Sequence, residues 1–202
     1  MKVRAATCAC LAIAVASPST AHAATYVLTG TLSGANEAPQ VATPGTGSTT
    51  VTFNDATNTL SVQIIFSGLT RPTAAAHIHC CAPPGGNAGV ATPVPTFPGF
   101  PLGVISGTYS STFDLTSASS FNPAFVTANG GSVATARTAF VTGLLAGQSY
   151  LNIHSGQFPN GEIRTQLTLL PEPASWAMMA AGFALVGGAV RAGRRRPRPA
   201  TG

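Results

Sequence analysis

Residues 60–66 read LSVQIIF, an alternation of apolar and polar side chains that is broken only at Ile65. Because successive side chains of a β-strand point to opposite faces, the apolar residues of this run would share one face. The segment before it, 54–58, reads NDATN and has the composition of a hairpin turn. A partner strand is predicted over residues 49–53, so the sequence predicts a β-hairpin at this point.

The rest of the chain between residues 24 and 170 has a similar pattern. Short runs with alternating or β-branched residues predict further strands over 26–32, 75–80, 104–115, 149–154 and 162–169. Residues 83–100 are rich in proline and glycine and predict a long irregular loop, whereas 123–128 and 132–141 are compatible with helices. The predicted fold class is all-β, an antiparallel sandwich or barrel with a short helical insertion.

The positive charge of the chain lies at its ends. The whole sequence has a formal net charge of +5, but residues 24–170 contain three basic and four acidic side chains, a net charge of −1. A nucleic-acid-binding domain needs a basic face in its folded part. The sequence therefore predicts no nucleic-acid partner.

The N-terminus has the order of features of a secretory signal peptide. Lys2 and Arg4 precede an apolar stretch, and Ala21 and Ala23 supply the small residues of a cleavage site. We predict a signal peptide over residues 1–23, with an N-terminal membrane anchor as the alternative. The apolar stretch is shorter than the roughly 20 residues that a spanning helix needs.

The C-terminus has the features of a membrane segment. Residues 174–190 are uncharged and long enough as a helix to reach the lower limit of a membrane span. An arginine-rich end follows at 191–198 and is expected to remain cytoplasmic. The sequence thus predicts a transmembrane helix with the β-domain on the outer side.

The tail over residues 171–202 resembles the PEP-CTERM sorting signal. The resemblance rests on Pro171, Glu172 and Pro173, the short apolar helix and the arginine-rich end, in that order. It implies an exosortase-type transpeptidase as partner, cleavage near the motif, and a Gram-negative host. The protein would be a precursor anchored in the inner membrane and would then reach the cell surface or extracellular matrix. A C-terminal anchor that is never processed is the alternative.

Three histidines of the domain share one strand face in this prediction. The runs Ala76-His77-Ile78-His79 and Asn152-Ile153-His154 place the isoleucines on one side and the histidines on the other. If these strands are neighbours, His77, His79 and His154 form a ligand set that suits Cu or Zn, and redox chemistry would be conceivable. The alternative is that the imidazoles only hydrogen-bond to Glu162, Asn152 or the backbone.

Three further polar residues are expected near these histidines. Asn152, Glu162 and Arg164 form a predicted polar-face cluster, in which Glu162 and Arg164 lie two residues apart and pair side by side. The sequence contains no nucleophile elbow, phosphate loop or nucleotide fingerprint. It therefore predicts a protein that is not an enzyme, with a hydrolase dependent on Glu162 as a remote alternative.

Cys80 and Cys81 are adjacent and follow directly after His79. In an oxidising compartment they could form a vicinal disulfide, join another chain, or add a thiolate ligand to a metal. The residue pattern leaves these three alternatives open.

The domain resembles the CHRD domain, first known from chordin. The resemblance rests on the segments 28–30, 34–37, 76–79, 152–155 and 158–164. It implies an immunoglobulin-like β-domain over residues 24–170, and the growth-factor antagonism of chordin is not carried over. The predicted function is a non-enzymatic surface or matrix protein that binds extracellular polysaccharide, a matrix protein or a metal. The alternative is a Cu or Zn module that depends on the three histidines.

Overall fold

The computed structural model describes residues 24–171, 180–186 and 191. The first 23 residues, which include the predicted signal peptide, lie outside this part, as do Glu172, Pro173 and most of the tail. Residues 180–186 are helical. Among the described residues, no helix combines the length and apolar character needed to cross a membrane.

Eight strands form one curled antiparallel sheet, open like half of a barrel, in the order β4-β6-β7-β1-β2-β3-β5, with β8 paired to β1. The strands are β1 (Thr25–Ser33), β2 (Thr46–Asn54), β3 (Thr59–Ser67), β4 (Thr73–Cys80), β5 (Gly107–Asp114), β6 (Ser149–Ser155), β7 (Ile163–Gln166) and β8 (Thr168–Leu169). The antiparallel all-β prediction is thus confirmed. The last predicted strand, 162–169, is divided at Leu167 into β7 and β8.

The predicted hairpin joins β2 and β3, with Asn54 opposite Thr59. The Asn54 side chain accepts hydrogen bonds from the backbone N–H groups of Ala56 and Thr57 (3.0 and 3.1 Å), which closes the turn. Asn58 completes it with a φ of 53°, a conformation that asparagine tolerates. Ile65, the exception in the alternation, is 61% exposed.

The proline- and glycine-rich loop over 83–100 covers the free edge of β4. Backbone N–H groups of Ala76 and Ile78 donate to the hydroxyls of Thr96 and Thr92, at 2.9 Å each. His79 also forms an isolated antiparallel bridge with Val90. An uncovered strand edge leaves backbone groups open to other chains, so this irregular loop satisfies them without a ninth strand.

The core lies on one side of the sheet and is closed by two helices, α1 (Pro123–Ala128) and α2 (Val133–Leu145). Asn122 and Ser132 cap their N-termini, as expected for residues that accept from free backbone N–H groups. Phe125 and Phe140 from the helices pack with Phe121 in the core. The helical insertion predicted from the sequence is confirmed, although α2 extends four residues further than expected.

Candidate metal centre

Neighbouring strands bring the three histidines together. β4 pairs with β6 so that His77 lies opposite Asn152, His79 opposite Tyr150, and Ala75 opposite His154. The intervening Ile78 and Ile153 are fully buried in the core. The strand alternation therefore turns all three imidazoles to the other side of the sheet, as the sequence predicted.

The imidazoles are nevertheless shielded from solvent. His77, His79 and His154 are 6%, 8% and 9% exposed, because two irregular segments lie over this face. Each ring has one nitrogen within hydrogen-bond distance of a carbonyl of these segments: Pro95 and Ala88 in the loop over 83–100, and Pro159 in the turn after β6.

These carbonyls fix the tautomer of every ring. A carbonyl only accepts, so His77 must carry its proton on Nε2, which is 2.8 Å from Pro95 O. His79 and His154 must carry theirs on Nδ1, which lie 2.9 Å from Ala88 O and 2.8 Å from Pro159 O. The remaining nitrogens, His77 Nδ1, His79 Nε2 and His154 Nε2, are therefore unprotonated and offer lone pairs.

The ring nitrogens of the three histidines lie close together. One ring nitrogen of each histidine lies within 4.8 Å of those of the other two. His77 Nδ1 is 3.2 Å from His154 Nε2, and His79 Nε2 is buried without a hydrogen-bond partner. Ligands of a tetrahedral metal bound at about 2.05 Å are separated by about 3.4 Å. The His77–His154 pair already has this spacing, and His79, within 4.8 Å of both, would complete a three-nitrogen set by moving closer.

Burial keeps these imidazoles neutral. It lowers the pKa of His77 from 6.5 to about 4, and the neighbouring His154 acts in the same direction, against the hydrogen bond to Pro95. Burial also lowers the pKa of His79 and of His154, although their hydrogen bonds to Ala88 and Pro159 oppose it. Neutral imidazole is the form that binds metal, so the site needs no deprotonation at neutral pH.

A stack of side chains holds His79 in place. The Tyr150 ring lies parallel to the His79 imidazole, with centroids 4.6 Å apart and planes at 8°. The Arg164 guanidinium covers the other face of Tyr150, with Cζ 3.4 Å from the ring centroid, a cation–π contact. Arg164 also donates to the Asn87 side chain at 2.9 Å. Predicted residues Asn152 and Arg164 thus adjoin the histidines and are themselves 2% exposed.

The predicted position of Glu162 requires a correction. Its carboxylate accepts hydrogen bonds from Thr43 Oγ1 and Thr70 N at 2.5 and 2.6 Å, and these contacts replace the expected pairing with Arg164. The reason is local: Gly161 has a φ of +125°, and β7 begins only at Ile163. The strand alternation used in the prediction does not extend to Glu162.

The adjacent cysteines form a vicinal disulfide between Cys80 and Cys81. This pairing is one of the three alternatives that the sequence left open. The bond packs closely against Gly143 of α2, where a Cβ would overlap both sulfurs. The two cysteines therefore connect the end of β4 to the helix and are outside the three-histidine group.

Two residues of the site were not among the predicted site residues. Tyr150 lies two residues before Asn152 on β6 and therefore on the same face as the histidines, a position that alternation alone could have indicated. Glu37 follows a short 3-10 turn whose Asn36 donates to Arg164 O at 3.0 Å, so it is brought to the site by a contact 128 residues away in sequence. Burial raises the pKa of Glu37 to about 7, although Arg164 and a hydrogen bond from Asn152 oppose the shift.

Comparison with known proteins identifies the family. The CHRD domain matches residues 28–167, which include all three histidines and nearly the whole sheet. No curated protein and no solved structure gave a significant match. Since the match covers more than half of the chain, the protein belongs to the CHRD domain family.

Proposed function

We propose that this chain is a non-enzymatic CHRD module that holds one Cu or Zn ion through His77, His79 and His154 and works at the cell surface or in the extracellular matrix. Family membership suggests a binding or structural role. We also propose that residues 24–170 have the immunoglobulin-like type of fold that the family resemblance implies.

The observation that carries the metal proposal is the convergence of three unprotonated nitrogens. In a metal-free histidine pair, one ring normally donates to the other. Here, the carbonyls of Pro95 and Pro159 hold the only protons of His77 and His154, so two lone pairs face each other at 3.2 Å. Hydrogen bonding to the backbone accounts for one nitrogen of each ring and leaves the inner three unexplained. A bound cation would account for all three.

The surroundings match those of known metal sites. Imidazole ligands suit Zn and Cu, and metal-binding histidines generally donate their second N–H to a carbonyl or carboxylate that fixes the ring. The site is buried and carries no net charge from the three neutral rings. A divalent cation would gain compensation from the buried Glu37, which lies beyond Asn152.

Elemental analysis tests this function. The protein is expressed from its full-length chain with Cu and Zn supplied, purified, and compared with His79→Ala and His154→Ala. About one equivalent of metal is expected in the wild type and a loss of most of it in both variants. Gln157→Ala, an exposed side chain of the adjoining turn, serves as control and should retain the metal. Less than about a tenth of an equivalent in the wild type would rule out a tight site.

Export and sorting complete the proposal. The signal-peptide pattern over 1–23 and the PEP-CTERM-like tail over 171–202 support export, anchoring in the inner membrane, and processing by an exosortase-type enzyme in a Gram-negative bacterium. At the surface, the partner would be extracellular polysaccharide or a matrix protein. An open cleft of about 570 Å³, lined by amide and hydroxyl groups such as those of Asn36, Gln40 and Thr168, supports a polar partner of this kind.

Binding to polysaccharide is tested by co-sedimentation of the purified protein with exopolysaccharide from its host. The proposal expects Gln40→Ala to weaken co-sedimentation, while Gln157→Ala, outside the cleft, leaves it unchanged. Equal co-sedimentation of both variants and the wild type would exclude the cleft as the binding surface.

A further inference from the structure

Asn152 lies at the centre of the histidine face. In the sheet it is opposite His77 on one side and Arg164 on the other, and His154 is two residues along the same strand. It is 2% exposed, and its carbonyl oxygen Oδ1 is buried without a hydrogen-bond partner. A buried amide normally satisfies both of its ends, so this free oxygen requires an explanation.

Two acceptors determine which end of the amide faces which way. Asn152 Nδ2 lies 3.5 Å from Asn160 O, and a Cβ placed on Gly161 would lie 2.6 Å from Nδ2 and 2.5 Å from Glu37 Oε1. The amide nitrogen therefore shares its side with the Asn160 carbonyl and the Glu37 carboxyl group, and exchanging Nδ2 with Oδ1 would set Oδ1 against the carbonyl oxygen, which cannot donate. Oδ1 is left on the imidazole side, where it interacts with the His79 ring.

The site thus contains three buried acceptors without a donor: Glu37 Oε1 on the Gly161 side of the amide, and Asn152 Oδ1 and His79 Nε2 on the imidazole side. Leaving a buried polar atom unsatisfied costs about 1–3 kcal/mol. Asn152 Oδ1 and His79 Nε2 cannot satisfy each other, because both are acceptors: the His79 proton is on Nδ1. One cation between them would satisfy both atoms, together with the lone pairs of His77 and His154.

We infer that Asn152 Oδ1 is a fourth ligand, which makes the centre a three-nitrogen, one-oxygen site. This inference rests on the proposed metal function. Glu37 is a positioning residue in this arrangement: its Oε1 and Asn152 Nδ2 both lie next to Gly161, so the carboxyl group keeps Nδ2 on its own side and directs Oδ1 towards the metal. An oxygen ligand favours Zn(II) or Cu(II) over Cu(I), which prefers soft sulfur ligands. The disulfide-bonded Cys80 and Cys81 offer no thiolate.

The test uses the metal-free, full-length protein, with Zn(II) affinity measured by competition against a chromophoric chelator. Asn152→Val removes the oxygen and should weaken Zn(II) binding by at least about tenfold, the minimum typical of losing a metal-site contact. In the paired variant, Asn152→Asp places one carboxylate oxygen towards the metal, and Glu37→Gln supplies an amide N–H that can donate to the other. Its Zn(II) affinity should therefore equal or exceed that of the wild type. Gln157→Ala changes an exposed side chain of the next turn that does not contact Asn152, and is the control.

The visible spectrum of the Co(II)-substituted protein gives a second readout, because it reports the ligand set directly. We expect this spectrum to change in Asn152→Val, because the ion loses a ligand. In the paired variant the spectrum should still be that of a four-coordinate Co(II) ion. Unchanged affinity and spectrum in Asn152→Val would overturn the fourth ligand while leaving the three-histidine site intact. If Asn152→Val does not fold, an affinity loss of tenfold or more in the paired variant would overturn it as well. A wild type that binds neither Zn(II) nor Cu(II) would overturn the proposed function itself.

Discussion

Replacing Gly161 by alanine should disturb the site more than its small size suggests. Gly161 has a φ of +125°, a conformation open to glycine but strained for alanine. A Cβ there would lie 2.5 Å from Glu37 Oε1 and 2.6 Å from Asn152 Nδ2, whereas ordinary contacts begin near 3.4 Å. Alanine must therefore push the carboxylate and the amide aside by nearly an ångström.

The expected cost can be assembled from two terms. Forcing a non-glycine residue into a sparsely populated backbone region costs about 1–3 kcal/mol. Overpacking a closely packed site costs about a further 1–3 kcal/mol. Gly161→Ala should thus lower the free energy of unfolding of the metal-free protein by about 2–6 kcal/mol. Because it displaces Asn152, it should also weaken Zn(II) binding by at least about tenfold.

Urea unfolding of the metal-free protein, followed by circular dichroism, measures the first effect. Gly156→Ala is the matched control: it lies in the same turn, its nearest neighbour would be Arg71 Cβ at 4.0 Å, and it should change stability by less than about 0.5 kcal/mol. A Gly161→Ala protein as stable as that control would refute the close approach of Glu37 and Asn152.

Three other predictions follow from the described contacts and the sequence. The pKa of His77 is about 4 in the folded state and 6.5 in the reference state, so the unfolded chain takes up a proton first. The free energy of unfolding of the metal-free protein should therefore decrease as the pH is lowered below 6.5, by roughly 2 kcal/mol between about pH 7.5 and pH 5 in urea titrations. Equal stability at these two pH values would contradict the lowered pKa. Tyr150→Phe removes a hydroxyl that donates to Ala88 O at 3.2 Å and should cost about 1 kcal/mol, measured the same way; no loss would argue against this bond. Pro171→Ala combined with Pro173→Ala should leave the protein in the membrane at its unprocessed size on immunoblots, and normal release would count against transpeptidase sorting.

Strand alternation made much of the sheet predictable. The run at 60–66 and the paired runs around His77 and His154 identify strands and faces because side chains alternate with a period of two. The turn chemistry of residues 54–58 is equally local. These features depend on residues within a few positions of one another, so the sequence alone contains them.

The remaining features depend on contacts that one sequence does not reveal. The burial of the imidazoles arises from the loop over 83–100, whose course is set by hydrogen bonds of Thr92 and Thr96 to the edge of β4. Glu37 reaches the site because β1 and β7 are neighbours in the sheet. Glu162 was misplaced because the backbone at Gly161 interrupts the alternation.

The proposed metal site depends on backbone carbonyls that hold the three imidazoles in tautomers whose lone pairs converge. Two-bond ¹H–¹⁵N correlation spectra of the metal-free protein at neutral pH measure these tautomers directly. We predict a proton on Nε2 of His77 and on Nδ1 of both His79 and His154. Protons on Nε2 of His79 and His154, the form that free histidine favours, would contradict it.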